Sequence, residues 1–351
     1  MTGRPGPGGR RQSGGLSPGR RYAIMAASAA GTLGVLLMLL ALVGAWLFQG
    51  PGPASHATDV VLPAGARTPE IAAALEREGA ISSSAVFMVA AQLTGAARHL
   101  KAGEYAFEPH ASMATVMRMI RHGEVVHHLV TIPEGFTSQA VIDTLQTTPI
   151  LSGSAPIPPE GSVLPETYEV QRGEDRAAVL QRMMDARDQL LAGLWAQRRT
   201  DLPITSPEQA VILASIVEKE TGLASERPRV AAVFLNRLQK GMKLESDPTV
   251  IYGLTRGVPL GRGLRESELT APTPYNTYVI PGLPPTPICN PGRAALAAVL
   301  DAPRTDELYF VADGTGGHAF SSTLQQHNQN VARWRAIEHA QAPPPPATGP
   351  R

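Results

Sequence analysis

The chain has 351 residues, with 31 Lys and Arg against 30 Asp and Glu, a formal net charge of +1. That balance points neither to a nucleic-acid partner nor to an acidic substrate, and 43% hydrophobic residues are enough to build a packed core. A single cysteine excludes an internal disulfide; Cys289 sits in Pro-rich sequence without a metal-ligand partner and reads as structural.

From the N-terminus, Arg4, Arg10, Arg11, Arg20 and Arg21 precede an uncharged apolar run over 23–48, and no acidic residue occurs before Asp59. At about 1.5 Å per residue the run crosses a hydrocarbon core of about 30 Å. Trp46 and Phe48 read as interfacial anchors. The alternative, a cleaved signal peptide, has an apolar region of only about 7–15 residues. The reading is therefore a cytoplasmic basic tail at 1–22, a transmembrane anchor at 23–48 and a linker at 49–58. By the positive-inside rule the protein is a single-pass protein of the cytoplasmic membrane, N-terminus inside, with everything after Gln49 on the outer, periplasmic side.

The first folded unit is expected over 59–126. Val60-Val61-Leu62-Pro63-Ala64-Gly65 reads as strand and turn, with Thr68 capping a helix through Ile71, Leu75 and Glu78. The pattern recurs at Val130-Thr131-Ile132-Pro133-Glu134-Gly135, followed by Thr137 or Ser138 and a helix through Val141, Ile142 and Leu145. Between the copies, 100–107 reads as a strand and 113–120 as an amphipathic helix. This small α+β module resembles the LysM-like carbohydrate-binding units; a plain spacer domain is the competing reading.

A second α+β unit is expected over 127–340, with a disordered Pro-rich tail over 341–351. A long helix is expected over 176–198. Ser206-Pro207-Glu208-Gln209 reads as an N-cap, a proline in the first turn and a capping-box Gln, opening a helix that runs to about Thr221. At about 100° per residue, Ala210, Ile212, Leu213, Ala214, Ile216 and Val217 form one stripe. Glu220 lands near its middle, and Glu218 falls to the side. A carboxyl held against apolar neighbours has a raised pKa and can serve as a general acid. The alternative is a helix-end carboxylate that frays outward or pairs with Arg227 or Arg229. Ser225 is expected to cap a further helix over 226–240, closed by Gly241. The remainder is expected to alternate short strands and loops, ending in a hairpin of 308–312 and 318–321 around the turn 313–317. Its glycines serve that turn, since GTGG lacks the Lys and helix start of a phosphate loop.

Several runs together resemble the endolytic murein transglycosylase family (MltG, or YceG-like) from the membrane anchor to about Trp334. They are Glu160-Gly161 with Pro165-Glu166-Thr167-Tyr168, Ala214-Ser215-Ile216-Val217-Glu218-Lys219-Glu220-Thr221, Val233-Phe234-Leu235-Asn236-Arg237-Leu238, Ser246-Asp247-Pro248-Thr249, Thr273-Pro274-Tyr275-Asn276-Thr277-Tyr278 and Gly316-Gly317-His318-Ala319-Phe320. The resemblance implies a membrane-anchored lyase that cuts nascent peptidoglycan strands internally between N-acetylmuramic acid and N-acetylglucosamine, leaving 1,6-anhydro ends and ending strand elongation. It makes 127–340 the catalytic domain and Glu220 the catalytic acid. Glu226, Asn236, Asp247, Thr249, Tyr275, Asn276, Tyr278 and His318 become substrate-binding residues. Glu226 has the competing reading of a helix cap and Asp247-Pro248 that of a turn, while Tyr252 reads as core. Glu245 departs from the neutral Gln familiar in the family at that position.

One acid suffices for this chemistry, because the muramyl C6 hydroxyl attacks its own anomeric carbon. No metal or organic cofactor is expected; the adjacent His127 and His128 would point to opposite faces of a strand. The expected partners are peptidoglycan strands, the membrane and peptidoglycan synthases (penicillin-binding proteins), with no nucleic acid. The rivals are a non-catalytic membrane-tethered peptidoglycan-binding scaffold, and a hydrolase using Asp247 or Glu245 as a second carboxylate.

Overall fold

The computed structural model describes residues 18–341, Ala64 excepted. Arg4, Arg10, Arg11, Ala64 and the tail 342–351, which figure in the sequence reading, lie outside the described residues, as does the side chain of Arg21. The chain divides into two compact units between Val126 and His127, and it mixes helices with short strands in both.

The first unit opens with α1, Pro18–Gln49. Within it Ile24–Gln49 has a mean hydropathy of 2.2. Its large apolar side chains stand exposed, Leu40 at 70% and Trp46 at 68%. A single N-terminal apolar helix of this length is compatible with a single-pass membrane anchor.

Beyond it, β1 (Thr58–Leu62) pairs antiparallel with β2 (Gly103–Phe107), Val60 opposite Tyr105. Alternation turns Val60 and Leu62 inward and Val61 outward. Three helices, α2 (Thr68–Arg77), α3 (Ser84–Leu93) and α4 (Met113–His122), close a core around Leu75, Phe87, Tyr105, Phe107 and Ile120. Thr68 is not the cap expected of it. Arg67 is the N-cap, with Glu70 Oε2 accepting the Arg67 N–H at 2.9 Å, and the Thr68 hydroxyl donates to Ala97 O. The sequence reading also passed over α3, an uncharged helix whose N-cap Ser83 accepts from Val86 N.

In the second unit, β3 (His128–Thr131) pairs antiparallel with β4 (Thr167–Val170). Thr137 caps α5, Ser138–Thr147, by accepting from Ala140 N. These elements and the start of α6, Arg176–Gln197, enclose Val130, Ile132, Ile142, Leu145, Val179 and Met183. Each strand of the repeated strand-turn-helix pattern thus pairs with a later strand of its own unit.

The larger core belongs to α7 (Pro207–Glu220), α8 (Arg227–Gln239) and α11 (Arg293–Leu300), which pack on one another. At about 1.5–3 kcal/mol for each fully buried Val, Leu, Ile or Phe, this is where much of the stability of the unit lies. Ser206 caps α7 by accepting from Gln209 N at 3.3 Å, but the Gln209 side chain accepts from Thr205 N, one residue earlier than a capping box requires. Helix α7 is buried nearly all round from Ala210 to Val217, with only Ile212 partly open, so the single apolar stripe drawn from periodicity is too narrow. Glu226, not Ser225, is the N-cap of α8, and Gly241, at φ +66°, follows its C-cap.

The stretch after α8 is more helical than expected. It holds α9 (Asp247–Thr255), the short α10 (Glu266–Leu269), α11 and α12 (Leu324–Gln341), with the expected hairpin formed by β5 (Tyr309–Ala312) and β6 (His318–Ser321). Cys289 is fully buried and its thiol, pushed up by burial, donates to Ser215 O.

Candidate active site

Glu220 is the last residue of α7. Thr221, extended at φ −143°, ends the helix and turns the chain away. The residue keeps part of its surface open, yet its carboxyl is crowded, and desolvation pushes its pKa up to about 7. The Ser246 hydroxyl donates to Glu220 Oε1 and opposes the rise, Asp247 adds to it, and the charges of His318 and Arg237 lower it. Burial wins. The result is a carboxyl poised between acid and base near neutral pH.

Three segments bring polar groups to this carboxyl. The first is the turn before α9. Glu245 there takes the left-handed conformation, φ +54°, and its N–H donates to Thr277 O while Ser246 N donates to Thr277 Oγ1 at 2.9 Å. That clamp turns the Ser246 hydroxyl toward Glu220 rather than into a cap of α9. Asp247 opens α9 in its first turn, and the Tyr278 hydroxyl donates to its Oδ1 at 2.7 Å.

The second segment is the loop carrying Tyr278. The Asn276 amide donates to Leu269 O and Ala271 O, and its Oδ1 accepts from Tyr278 N at 3.0 Å. Asn276 and Thr249 are fully buried, and Thr249 donates to Ser246 O at 2.6 Å. Both therefore shape the loops that present Ser246 and Tyr278. Tyr275, 8% exposed, is bonded to Thr286 and rests its ring against Tyr252. Tyr252 is core, as expected, with its hydroxyl donating to the half-buried Glu160.

The third segment is β6. Glu226 Oε1 accepts from His318 N at 2.9 Å and its Oε2 lies 2.7 Å from His318 Nδ1. The carboxylate orients the ring and leaves Nε2 for another partner. Glu226 is thus more than a cap. Asn236 lies apart from this group: its amide donates to Thr305 O and Glu307 O and fixes the approach to β5.

Two residues were passed over in the sequence although both stand inside the quoted motifs. Ser246 was only the first residue of the Ser246-Asp247-Pro248-Thr249 run. Arg237, 8% exposed, donates to Leu308 O, Lys243 O and Leu244 O and pairs with Glu245 at 2.9 Å, joining the α9 turn to the hairpin.

Glu218 corrects the helical-wheel contrast. Its side chain is 5% exposed; it accepts from Gly292 N at 2.8 Å and meets Arg227 at 3.4 Å. Burial raises its pKa as well. Glu160, half-buried, is likewise raised by desolvation, inside a network with Ser138 and Asn290. Glu220 is therefore not the only desolvated acid. It differs in the neighbours it meets, because Glu218 and Glu160 accept backbone N–H groups that join segments. Arg227 serves Glu218 and Arg229 serves Glu307, so neither is an ion-pair partner of Glu220.

The YceG-like family model matches residues 60–333. The endolytic murein transglycosylase of Streptococcus pneumoniae serotype 2 is 26% identical over 323 residues, 78% of this chain and 57% of that protein. The endolytic murein transglycosylase of Bacillus subtilis is 40% identical over 124 residues, 35% of this chain and 34% of that protein. A yceG-like protein of Listeria monocytogenes, known from its crystal structure, is 27% identical, with a TM-score of 0.48 over 78% of this chain and 98% of that one. The chain spans little more than half the length of the Streptococcus protein.

Proposed function

The chain belongs to the YceG-like family, and from that premise we propose that it is a membrane-anchored endolytic lytic transglycosylase of peptidoglycan. The observation that carries the proposal is the carboxyl of Glu220, raised to about 7 at the open end of a buried helix and held by Ser246.

In this reading neutral Glu220 gives its proton to the glycosidic oxygen between N-acetylmuramic acid and N-acetylglucosamine as the C1–O bond breaks. The carboxylate left behind takes the proton of the muramyl C6 hydroxyl, and the C6 oxygen bonds to C1. No water is consumed, and the new end is a 1,6-anhydro sugar. A pKa near working pH suits a group that must give and regain one proton. Among the groove residues the proposal gives Asp247 with Tyr278, and Glu226 with His318, the direct sugar contacts. Thr249, Tyr275, Asn276 and Asn236 act by holding their loops. The hydrolytic rival needs Asp247 or Glu245 to activate water, and both carboxylates already have partners in Tyr278 and Arg237.

The same reading makes α1 a cytoplasmic-membrane span with its N-terminus inside and the folded units outside. Residues 59–126 form a LysM-like module, 127–340 the catalytic domain, and peptidoglycan synthases are natural partners in ending strand growth. The scaffold alternative is separated by one comparison. Purified glycan strands should be cut by the wild-type protein, whereas Glu220→Gln should bind them but lose roughly 10²–10⁴-fold in cutting rate. Equal cutting by the variant would remove Glu220 from the mechanism, and binding without cutting by the wild type would favour the scaffold.

A further inference from the structure

Helix α3 has no evident reason to be as apolar as it is. Its sequence SAVFMVAAQL contains no charge, and only Phe87 and Ala91 are buried in the module core. Val89 and Leu93 are 57% and 83% exposed. The exposed face is not isolated: Val86, Val89, Ala90 and Leu93 form one wall of an apolar groove whose other wall is Leu40 and Val43 with their neighbours on α1.

The level of that groove on α1 is set by contacts within the first unit. Residues 24–43 are exposed, those from Leu37 on facing α3 across the groove, while Gly44, Leu47 and Phe48 are the partly covered positions of the last turns. Phe48 packs on the module core. About 20 residues at about 1.5 Å each span the hydrocarbon core, so 24–43 crosses it and the docked turn emerges at the interface. The exposed Trp46 stands at the same level, where indole rings collect. The 49–58 segment is no loose tether either. Gly52 N donates to His110 O and His110 N to Ala54 O, fixing the module to the end of the span.

Charge follows the same geometry. Helix α3 leads through Ala96–Arg98 into a concave cluster of Arg98, His99, Lys101, Arg121 and His122. The nearby Glu124 pairs with Arg118 and lies 3.7 Å from His122 Nδ1, while among the described residues Arg98 and Arg121 have no ion pair. An apolar helix face beside basic side chains is the pattern of a segment that lies in a lipid interface.

We infer that the small module is seated in the outer leaflet, with acyl chains filling the groove between α1 and α3 and the basic cluster meeting anionic headgroups. The occupant is lipid rather than a second protein helix, because the groove continues the lipid-facing surface of the span without a break. The inference rests on α1 being a membrane anchor.

The test uses the full chain in nanodiscs containing anionic phospholipid, with a fluorophore on Leu93→Cys or, separately, Leu36→Cys. The buried Cys289 stays unlabelled. Nitroxide-bearing lipids should quench both labels several-fold, and a water-soluble nickel chelate should quench neither strongly. If Leu36 is quenched by lipid but Leu93 is reached by the chelate, the anchor stands and the seated module is wrong. A Leu93 label shielded from both quenchers would mean that protein covers the face, which also overturns the inference. A Leu36 label reached only by the chelate would remove the anchor itself.

Discussion

A carboxylic acid that must donate its proton is useful only below its own pKa. For Glu220, at about 7 against an ordinary 4.5, the neutral form persists through weakly acid pH, so cutting should fall tenfold per unit above about 7. Stability carries the same signature with a definite sign. Between 4.5 and about 7 the folded state holds a proton that the unfolded chain has released, so stability declines as pH rises through that window. Ser246→Ala removes a hydrogen bond that favours the carboxylate. It should shift the alkaline limb of the rate profile to higher pH, and a limb that moves down would refute the role of Ser246. Glu218→Gln makes a contrasting case. It leaves Arg227, 9% exposed in its side chain, without its closest partner, with only Glu134 at 3.8 Å remaining. The expected loss is about 1–3 kcal/mol in urea unfolding with the limb unmoved. A shifted limb at unchanged stability would make Glu218 the acid.

At the scale of elements, the active carboxyl depends on segments far apart in sequence being pinned together. Asn290, fully buried, is the clearest pin: its Oδ1 accepts from Val163 N at 3.0 Å and its amide donates to Phe136 O at 3.0 Å. Asn290→Ala strands the Val163 N–H, while Phe136 O keeps the backbone N–H of residue 290 at 2.8 Å, and should cost about 1–3 kcal/mol, read as a lower urea midpoint with unchanged slope; an unaltered midpoint would show that water replaces the amide. Such pins also mark what the sequence could and could not disclose. The start of α7, the hairpin of β5 and β6 and the N-terminal apolar helix were legible because caps, turn glycines and apolar runs act over a few residues. The place of Glu220 at the end of α7 was legible for the same reason. The Ser246 contact with Glu220 joins positions 26 apart, and the Glu226 contact with His318 joins positions 92 apart, so neither leaves a local trace. Polar motif residues were legible as important without their manner of acting: Asn236 and Asn276 are buried in loop anchoring, which a list of polar side chains does not distinguish from sugar contact. Helix α12 was missed because its apolar positions are sparse, and α3 because an uncharged run of ten has no polar face to set its period.

At the scale of the whole molecule, the chain joins an apolar helix compatible with a membrane anchor, a small α+β module and a larger unit in which the Glu220 carboxyl stands at the end of a buried helix. In the proposed mechanism this single group serves both steps, so that the strand closes on itself instead of taking up water. Among the described residues of the larger unit, desolvation raises the pKa of Glu160, Glu218 and Glu220 alike, so it does not by itself single out Glu220. What distinguishes it is the open side of the residue and the neighbouring Ser246, Asp247 and His318. A second carboxylate working with it would instead activate water and leave a reducing sugar. Digestion of purified glycan strands in water enriched in heavy oxygen, with mass analysis of the newly formed ends, separates the two directly. The account predicts ends lighter by one water than the hydrolysed sugar and free of the heavy isotope; heavy oxygen at the new reducing end would contradict it.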